Sequence, residues 1–352
     1  MVKINPLLNR VERPSSIFPS RKEKTRLNWN ELSPGYSPET FKRIMDSLTP
    51  EVLSSYPEYD VIYPLMAKYL GVNLDNIILE SGSECGIKNV FEAFVPRGSS
   101  LVKPCPEFVM VDVDAQLFGA EVRNIHYNKN LEFSVSKLID SIDKTTSLVY
   151  LANPNAPTSY YVERSDLLDI LKKARESDAV VLVDECYIDF SGKQSAIDLI
   201  NSQDNLIVSR SFSKSFGLAG ARLGVLASNP YLNSYLHKTR PMREINAFAA
   251  EIGKFMLNHI EIPMTMISEI KETREEVREK LQNYGYEVPI SNTNFILVNF
   301  GEDRQRFVQK CADLGILIKD NLGHESVSQY TFMTIGRKQL MRDTLNKIFP
   351  LK

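Results

Sequence analysis

The segment RSFSKSFGLAGARLG, from Arg210 to Gly224, places Lys214 between two serines and follows it with Arg222. A lysine is most often a solvated surface residue, but the neighbours of Lys214 are small or apolar rather than charged. Burial and a nearby cation lower the pKa of an amine, and a neutral amine can attack an aldehyde. Serine hydroxyls and a guanidinium are groups that bind phosphate. The segment therefore indicates a nucleophilic lysine beside an anion site.

Other strand-like runs end in polar groups that complete such a site. The segment SGSE, residues 81–84, begins a predicted helix whose backbone N–H groups can bind an anion. Asp184 closes the apolar run VVLVD, and Tyr187 follows it. Singly these residues fit ordinary roles as a helix cap, a loop acid and a packing tyrosine. Together they match pyridoxal phosphate, which needs a phosphate site, a carboxylate for its ring nitrogen, a donor for its phenolic oxygen and an amine for its aldehyde.

The elements that must position these groups alternate along the middle of the chain. Residues 76–94 show an apolar run, a small-residue turn and then apolar residues at helical spacing. Residues 164–177 have the period of an amphipathic helix, and we expect Ser165 to cap it. The runs AVVLVDECYIDF and NLIVSRSFSKSFG are continuously apolar, which is typical of strands covered on both faces. This alternation predicts a mainly parallel sheet, whose ligands bind beyond the carboxyl ends of the strands.

The pattern changes after about residue 240. MTMISEIKETREEVREKLQNYG predicts one long helix ending near Gly285, and TNFILVNF, GILIKD and YTFMTIG predict short strands. We therefore expect an α/β protein with a three-layer large domain over residues 46–240 and a smaller α/β domain over 241–352. Residues 1–45 are rich in proline and are expected to pack on the smaller domain.

Composition narrows the classes of function. The 352 residues carry a net charge of -2, which argues against a nucleic-acid partner, and no apolar run is long enough for a membrane span. Four cysteines and four histidines are scattered without paired metal spacing, so we expect no metal site. The start, MVKINPLLNRVERP, has no apolar core of signal-peptide length, and we expect a cytoplasmic protein with free thiols.

Over nearly its whole length the chain resembles the fold-type I pyridoxal phosphate enzymes, and within them the histidinol-phosphate aminotransferase group. The segments that carry the resemblance are RLNWNELS, SSYPEYD, SGSECGI, PCPEFVMV, NPNAPTS, VDECYIDF and SRSFSKSFGLAGARLG. It implies that Lys214 forms the Schiff base and then moves the substrate Cα proton, with Asp184 and Tyr187 as the other catalytic residues. It also implies a two-fold dimer with shared active sites. The cofactor-binding residues it implies are Gly82, Ser83, Glu84, Phe108, Asn155, Asp184, Tyr187, Ser211, Ser213, Lys214, Arg222 and, from the neighbouring subunit, Tyr56.

Two positions depart from the family pattern. In NPNAPTS, Ala156 stands where many relatives have the asparagine that contacts the phenolic oxygen, and we expect the adjacent Asn155 to replace it. In YTFMTIG, Phe332 stands where the family motif LRITxG has the arginine that binds the substrate carboxylate. Losing such a pair costs about 2–5 kcal/mol if the anion is still buried there. The substrate-binding residues are expected to be Asn30, Arg240, Arg243 and Phe332.

These features favour an aminotransferase that moves an amino group between glutamate and a small phosphorylated ketone or amino alcohol. A decarboxylase of an O-phosphorylated serine or threonine is the main alternative, and the missing arginine argues against it. A serine acyl-enzyme fits SFSK only formally, because the accompanying S-D-N and K-T-G motifs are absent. A non-catalytic sensor would require a DNA-binding segment, and an inactive relative stays open because of Ala156 and Phe332.

Overall fold

Residues 2–13 and 20–349 are described in a computed structural model, in which helices and strands alternate along the chain. The strands are β1 (Thr25–Arg26), β2 (Ile77–Glu80), β3 (Ser100–Cys105), β4 (Glu121–His126), β5 (Thr146–Ala152), β6 (Val180–Asp184), β7 (Leu206–Ser211), β8 (Gly224–Ser228), β9 (Phe295–Val298), β10 (Ile316–Leu317) and β11 (Thr331–Thr334). The α-helices are α1 (Pro38–Asp46), α2 (Ile62–Leu70), α3 (Ser83–Phe94), α4 (Met110–Phe118), α5 (Val135–Asp140), α6 (Arg164–Glu176), α7 (Ile188–Ser191), α8 (Phe212–Ser215), α9 (Pro230–Thr239), α10 (Ala247–Asn258), α11 (Glu261–Asn283), α12 (Arg304–Asp313) and α13 (Lys338–Ile348).

A seven-stranded sheet in the order β2-β8-β7-β6-β5-β3-β4 forms the centre of the fold. The pairs among β3, β4, β5, β6 and β7 are parallel, and β8 runs antiparallel to both of its neighbours. Parallel neighbours need crossover connections, and helices of the intervening segments make them. The expected α/β class with a mainly parallel sheet is confirmed.

Both faces of this sheet are covered. Successive residues of a strand point to opposite faces, and in β6 Val181 and Val183 belong to one buried cluster while Val180 and Leu182 belong to another. This burial on both sides explains why the strands are apolar without alternation. The polar residues at the strand ends are therefore held by a rigid, fully packed support.

A smaller layer packs against one end of the sheet. Its antiparallel strands β9 and β11 pair Phe332 with Leu297, and its core includes Leu27 from the N-terminal segment. Strand β1 pairs in parallel with β10, so residues 25–26 join this layer by backbone hydrogen bonds. The domain limits proposed from the sequence stay a prediction, and residues 14–19 of the N-terminal segment lie outside the described residues.

Two local expectations need correction. Ser165 does not cap α6, because the helix already begins at Arg164 and Glu163 occupies the capping position. Lys214 is not on a strand, because β7 ends at Ser211 and one short helical turn, α8, carries the lysine. None of the described helices has the length and apolar character needed to cross a bilayer.

Candidate active site

A cavity of about 230 Å³ lies at the carboxyl ends of β5, β6 and β7, where the parallel-sheet rule places a ligand. It brings together most of the residues expected to bind the cofactor. Its lining residues are Ser83, Glu84, Phe108, Ala152, Ala156, Asp184, Cys186, Tyr187, Ser211, Ser213, Lys214, Ala219 and Arg222.

One end of this cavity has the donors that a phosphate needs. Helix α3 begins there with Gly82 as its N-cap, and no side chain caps this N-terminus. Arg222 reaches the same point: its Nη2 atom lies 2.6 Å from where a Cβ on Gly82 would be. The Oγ atom of Ser213 is buried without a hydrogen-bond partner. A buried hydroxyl without a hydrogen-bond partner lowers the stability of the fold unless a ligand supplies that partner. The set of donors therefore fits a phosphate group.

Gly82 is the residue that makes this approach possible. Its φ of 82° is in the left-handed region, and it has no Cβ to displace the guanidinium of Arg222. Gly224 is needed for a related reason, because a Cβ there would lie 2.8 Å from the backbone nitrogen of Ser83. The two glycines therefore let β8, the α3 turn and Arg222 meet.

Asp184 lies deeper, at the end of β6. Its Oδ2 atom accepts a hydrogen bond from the Tyr150 hydroxyl at 3.1 Å, and its Oδ1 atom accepts one from the Cys186 backbone N–H at 3.1 Å. Burial raises the pKa of this carboxyl to about 6. A buried carboxylate that lacks a full positive partner is suited to bind a protonated ring nitrogen, which would offset its desolvation.

Lys214 stands between this cavity and a second one, and lines both. Its Nζ atom donates a hydrogen bond to the backbone carbonyl of Trp29 at 2.9 Å. Desolvation lowers the pKa of the amine. A lowered pKa increases the fraction of neutral, nucleophilic lysine near neutral pH.

Tyr187 and Asn30 connect the site to the smaller layer. The Nδ2 atom of Asn30 donates to the Tyr187 hydroxyl at 2.9 Å, and its Oδ1 atom accepts from Thr334 Oγ1 at 3.0 Å. Burial raises the pKa of the Tyr187 phenol, so the hydroxyl stays protonated and can donate to an oxygen in the cavity.

The second cavity, of about 460 Å³, opens from Lys214 toward the smaller layer and is the space available to a substrate. Its lining residues are Trp29, Asn30, Pro106, Glu107, Phe108, Val109, Ala156, Pro157, Tyr187, Lys214, Lys319, Asn321, Leu322 and Phe332. Phe332 is buried there, as its sequence position suggested, and contributes an aromatic wall instead of a cation.

A cation that the sequence did not reveal lies next to Phe332. Lys319 and Phe332 are paired across an antiparallel bridge with N–H···O distances of 3.1 and 2.8 Å, and Lys319 Nζ lies 5.7 Å from the centre of the Phe332 ring. Burial lowers the pKa of Lys319, and the positive charge of Lys214 lowers it further. An anionic substrate group would offset both the desolvation of the Lys319 ammonium and its repulsion by Lys214.

Asn155 does not line either cavity. Its Nδ2 atom donates to Glu107 Oε1 at 2.9 Å, and its Oδ1 atom accepts from Thr158 Oγ1 at 2.7 Å. The amide is therefore occupied by this buried network, and the neighbouring Ala156 faces the cavity instead. The contact to the phenolic oxygen that we expected from Asn155 is not available in this arrangement, which leaves Tyr187 as the polar side chain on that side.

Three further expected residues lie away from both cavities of their own chain. Arg240 is bound to Glu244 at 2.6 Å, which occupies its guanidinium. Tyr56 is 80% exposed, and Arg243 lies over its ring at 5.7 Å. In a single chain these residues do not contact the substrate space. A larger depression of about 880 Å³, lined by Arg175, Asp204 and Tyr231 among others, contains none of the expected site residues either.

The fold and the site together define a fold-type I enzyme with a pyridoxal phosphate cavity. The chain belongs to the aminotransferase class I and II family, which matches residues 22–326. It is 32% identical over 298 residues to the histidinol-phosphate aminotransferase of Thermoanaerobacter pseudethanolicus, with 84% of each chain covered. The expectation of a pyridoxal-phosphate-dependent aminotransferase is therefore confirmed.

Solved structures agree in fold. Histidinol-phosphate aminotransferase from Sinorhizobium meliloti, in complex with pyridoxal-5'-phosphate, superposes with a TM-score of 0.85 at 20% identity, covering 99% of this chain and 98% of that one. L-threonine-O-3-phosphate decarboxylase from Porphyromonas gingivalis superposes with a TM-score of 0.75 at 20% identity, covering 92% and 98%. Likenesses at this identity show the shared fold and do not decide the substrate.

Proposed function

We propose that this aminotransferase transfers an amino group between glutamate and a small ketone or amine that carries a phosphate or a similar anionic group. The observation that carries this proposal is the pair formed by Lys319 and Phe332 in the wall of the substrate cavity. Relatives named histidinol-phosphate aminotransferase support a phosphorylated substrate.

The residues of the first cavity have defined tasks in holding the cofactor. The N-terminus of α3, Ser213 and Arg222 would hold its phosphate, since together they supply neutral and charged donors. Asp184 would hold the protonated ring nitrogen, and Phe108 is the aromatic side chain in the same cavity that would pack on the ring. Pyridoxal phosphate, when bound, supplies an electron-withdrawing ring that stabilises negative charge at the substrate Cα.

Lys214 and Tyr187 act at the boundary of the two cavities. Lys214 Nζ is the amine that would hold the cofactor aldehyde, and as a neutral amine at this boundary it would take the substrate Cα proton and return it. Its lowered pKa favours the neutral form that this task needs. Tyr187, oriented by Asn30, keeps its proton and donates it as a hydrogen bond.

Lys319 is the residue that we propose recognises the anionic substrate group. A lysine acts as a compact point charge, whereas an arginine presents a flat bidentate fork that matches a carboxylate. Phe332 stands where the family motif has an arginine, and Lys319 lies beside it. This wall of the cavity therefore favours a compact anion over a carboxylate that needs a bidentate contact. The α-carboxylate of the donor then needs a second cation.

Arg240 and Arg243 were expected to bind the donor carboxylate, and a dimer offers a way for their segment to do so. Exposed large apolar residues lie on the same part of the surface: Leu53 is 79%, Tyr56 80% and Met242 85% exposed. Such exposure on one face is typical of an interface. We propose that the protein is a homodimer in which this face, with Tyr56 and Arg243, borders the partner's cavity. A cytoplasmic location belongs to the same proposal, and the four cysteines are free.

The experiment follows both half-reactions by the visible absorption of the cofactor. Glutamate should bleach the yellow holoenzyme, and after removal of glutamate a phosphorylated ketone should restore the colour. Failure of 2-oxoglutarate to restore it would exclude glutamate as the donor. Carbon dioxide released from a phosphorylated amino acid without a keto product would instead indicate a decarboxylase.

Substitution of Lys319 tests recognition of the anion. We expect Lys319→Gln to raise KM for the phosphorylated acceptor by roughly 10–100-fold with little change in kcat. This rise in KM corresponds to the loss of one charge-assisted hydrogen bond. Lys319→Arg should keep most of the affinity. Lys310→Gln, which removes an exposed lysine of the same layer, is the matched control. Equal KM values for Lys319→Gln and the control would rule out this role.

A further inference from the structure

Three side chains of metal-ligand type meet beside the substrate cavity. Cys105 ends β3, His126 ends β4, and His324 lies between β10 and β11. One donor atom from each of the three lies within 4.8 Å of the other two. The proposed amino-group transfer uses none of them, and their wide separation in the chain hid the cluster from sequence analysis.

The sheet itself brings the first two ligands together. Strands β3 and β4 are parallel neighbours, and Cys105 and His126 are partners in their register. Side chains of paired residues stand on the same face of a sheet. The carboxyl ends of these strands border the same edge as the two cavities, so the pair is fixed by the rigid part of the fold.

His324 is added from the smaller layer. Its ring stacks on that of His126 with centroids 5.1 Å apart and planes 14° apart. The Nδ1 atom of His126 lies 3.0 Å from the Nε2 atom of His324. In a tetrahedral site with zinc–ligand bonds of about 2.0–2.3 Å, two ligand atoms are roughly 3.3–3.8 Å apart. Small side-chain rotations therefore convert this contact into one edge of a coordination site.

The turn that follows His324 orients its ring. The Nδ1 atom accepts a hydrogen bond from the Ser326 backbone N–H at 3.2 Å and lies 2.8 Å from the Ser326 hydroxyl oxygen. A metal bound at Nε2 would move the ring proton to Nδ1, where the Ser326 hydroxyl would accept it in place of the contact with the backbone N–H. Hydrogen bonds of this kind fix the tautomer and the orientation of metal-binding histidines. Nearby, the buried ammonium of Lys103 is paired with Asp112 at 3.1 Å.

We propose that Cys105, His126 and His324 bind one divalent zinc-type cation that joins the central sheet to the smaller layer at the substrate cavity. A thiolate and two imidazoles are the donor set that zinc prefers, and three protein ligands leave a fourth position for water. Earlier we expected no metal site, because the spacing of these residues in the chain matches no metal motif.

The ion would fasten two walls of the substrate cavity. Cys105 is followed directly by residues 106–108, and His324 is preceded by Asn321 and Leu322; all of these residues line that cavity. A cation bound by both segments holds them at a fixed separation. It should therefore hold the cavity at the width seen in the structure and lower KM for the acceptor, without entering the chemistry at Lys214.

Zinc binding is measured directly on untagged holoenzyme that has been stripped with a chelator. Titration against a chromophoric chelator should show one zinc ion per chain. Cys105→Ser and His324→Gln should each weaken binding at least about 10-fold, whereas the control His259→Gln should not change it. With cobalt as the probe, a thiolate-to-cobalt absorption band should appear and should be lost in Cys105→Ser.

Kinetics then test whether the ion joins the two walls. Zinc should lower KM for the acceptor in the original enzyme and leave it unchanged in His324→Gln. The proposal is overturned if no zinc binds at micromolar concentration, or if Cys105→Ser and His324→Gln bind it like the original enzyme. Binding that depends on Cys105 but not on His324 would exclude the bridge. Thermal melting of each variant checks that it is folded. The zinc and cobalt titrations do not depend on the identity of the amino acceptor, so they can fail or succeed independently of the proposed function.

Discussion

At the scale of single residues, the site depends on groups whose burial is unfavourable until a ligand arrives. The buried carboxyl of Asp184 accepts hydrogen bonds from Tyr150 and Cys186, and the charge of Lys214 also lowers its pKa, but burial outweighs these effects and raises that pKa to about 6. Ser213 has a buried hydroxyl without a partner. Both features are unfavourable in the empty protein and favourable once a cationic ring and a phosphate bind.

Asp184→Asn separates the cost of burying the Asp184 carboxyl from the role of that carboxyl in turnover. The folded pKa of about 6 lies above the ordinary value of 3.8 for an aspartate, so the stability linked to this group is lost as the pH rises through about 6. At pH above about 7, the cofactor-free Asp184→Asn variant should therefore melt at the same or a higher temperature than the original protein. Its turnover should fall by about 10²–10⁴-fold, because the ring nitrogen loses its anionic partner. Melting curves without cofactor and turnover with it are the two measurements; a less stable, fully active variant would contradict the assignment.

At the scale of elements, the anion site is made by a close approach of a turn, a strand and an arginine. Gly82 is the N-cap of α3, and the Arg222 guanidinium occupies the space that a side chain on Gly82 would need. The first residue of β8, Gly224, touches the same turn through its backbone. The proposed phosphate site therefore depends on how α3 and β8 pack, and a single methyl group should disturb it.

Gly82→Ala tests this close approach, and Gly98→Ala is its matched control. The two glycines have similar φ values of 82° and 86°, so alanine strains the backbone alike at both. A Cβ at position 82 meets Arg222 at 2.6 Å, whereas a Cβ at position 98 meets nothing within 4 Å. We expect both variants to lose similar stability, and only Gly82→Ala to weaken cofactor binding, by about 10-fold or more. Equal cofactor dissociation constants, measured by fluorescence titration, would show that the approach is unimportant.

At the scale of the whole molecule, each active site is expected to need two chains. Tyr56 and Arg243 contact each other on the surface, away from both cavities of their own chain. Closed two-fold symmetry places the same face of each chain against the other. An exposed tyrosine can then become a buried cofactor ligand without any change within its own chain.

Mixing two variants distinguishes a shared site from a separate one. Lys214→Ala should be inactive, and Tyr56→Phe should lose most activity at limiting cofactor. After the subunits are exchanged, a shared site predicts that about a quarter of the original activity returns, because each mixed dimer has one site with both native residues. If Tyr56 acts within its own chain, mixing should restore nothing. Light scattering on the same samples measures the oligomeric state.

The sequence by itself determined the parts of the site that are local. Lys214 and Arg222 lie in one short segment between β7 and β8, and Asp184 ends an apolar strand, so their positions follow from periodicity and from the rule for parallel sheets. The family resemblance added the cofactor contacts at Phe108 and Ser83, and both residues line the cavity. These predictions needed no knowledge of how the two layers pack.

Only the tertiary structure decided which residues from distant parts of the chain lie beside these local site residues. Lys319 faces the substrate cavity because β10 and β11 bring it beside Phe332, and His324 meets Cys105 because the smaller layer packs on the end of the sheet. The amide of Asn155 is withdrawn from the cavity by Glu107 and its own turn. Such contacts depend on the packing of whole layers, which local spacing does not encode, because the packing free energy is spread over many buried side chains.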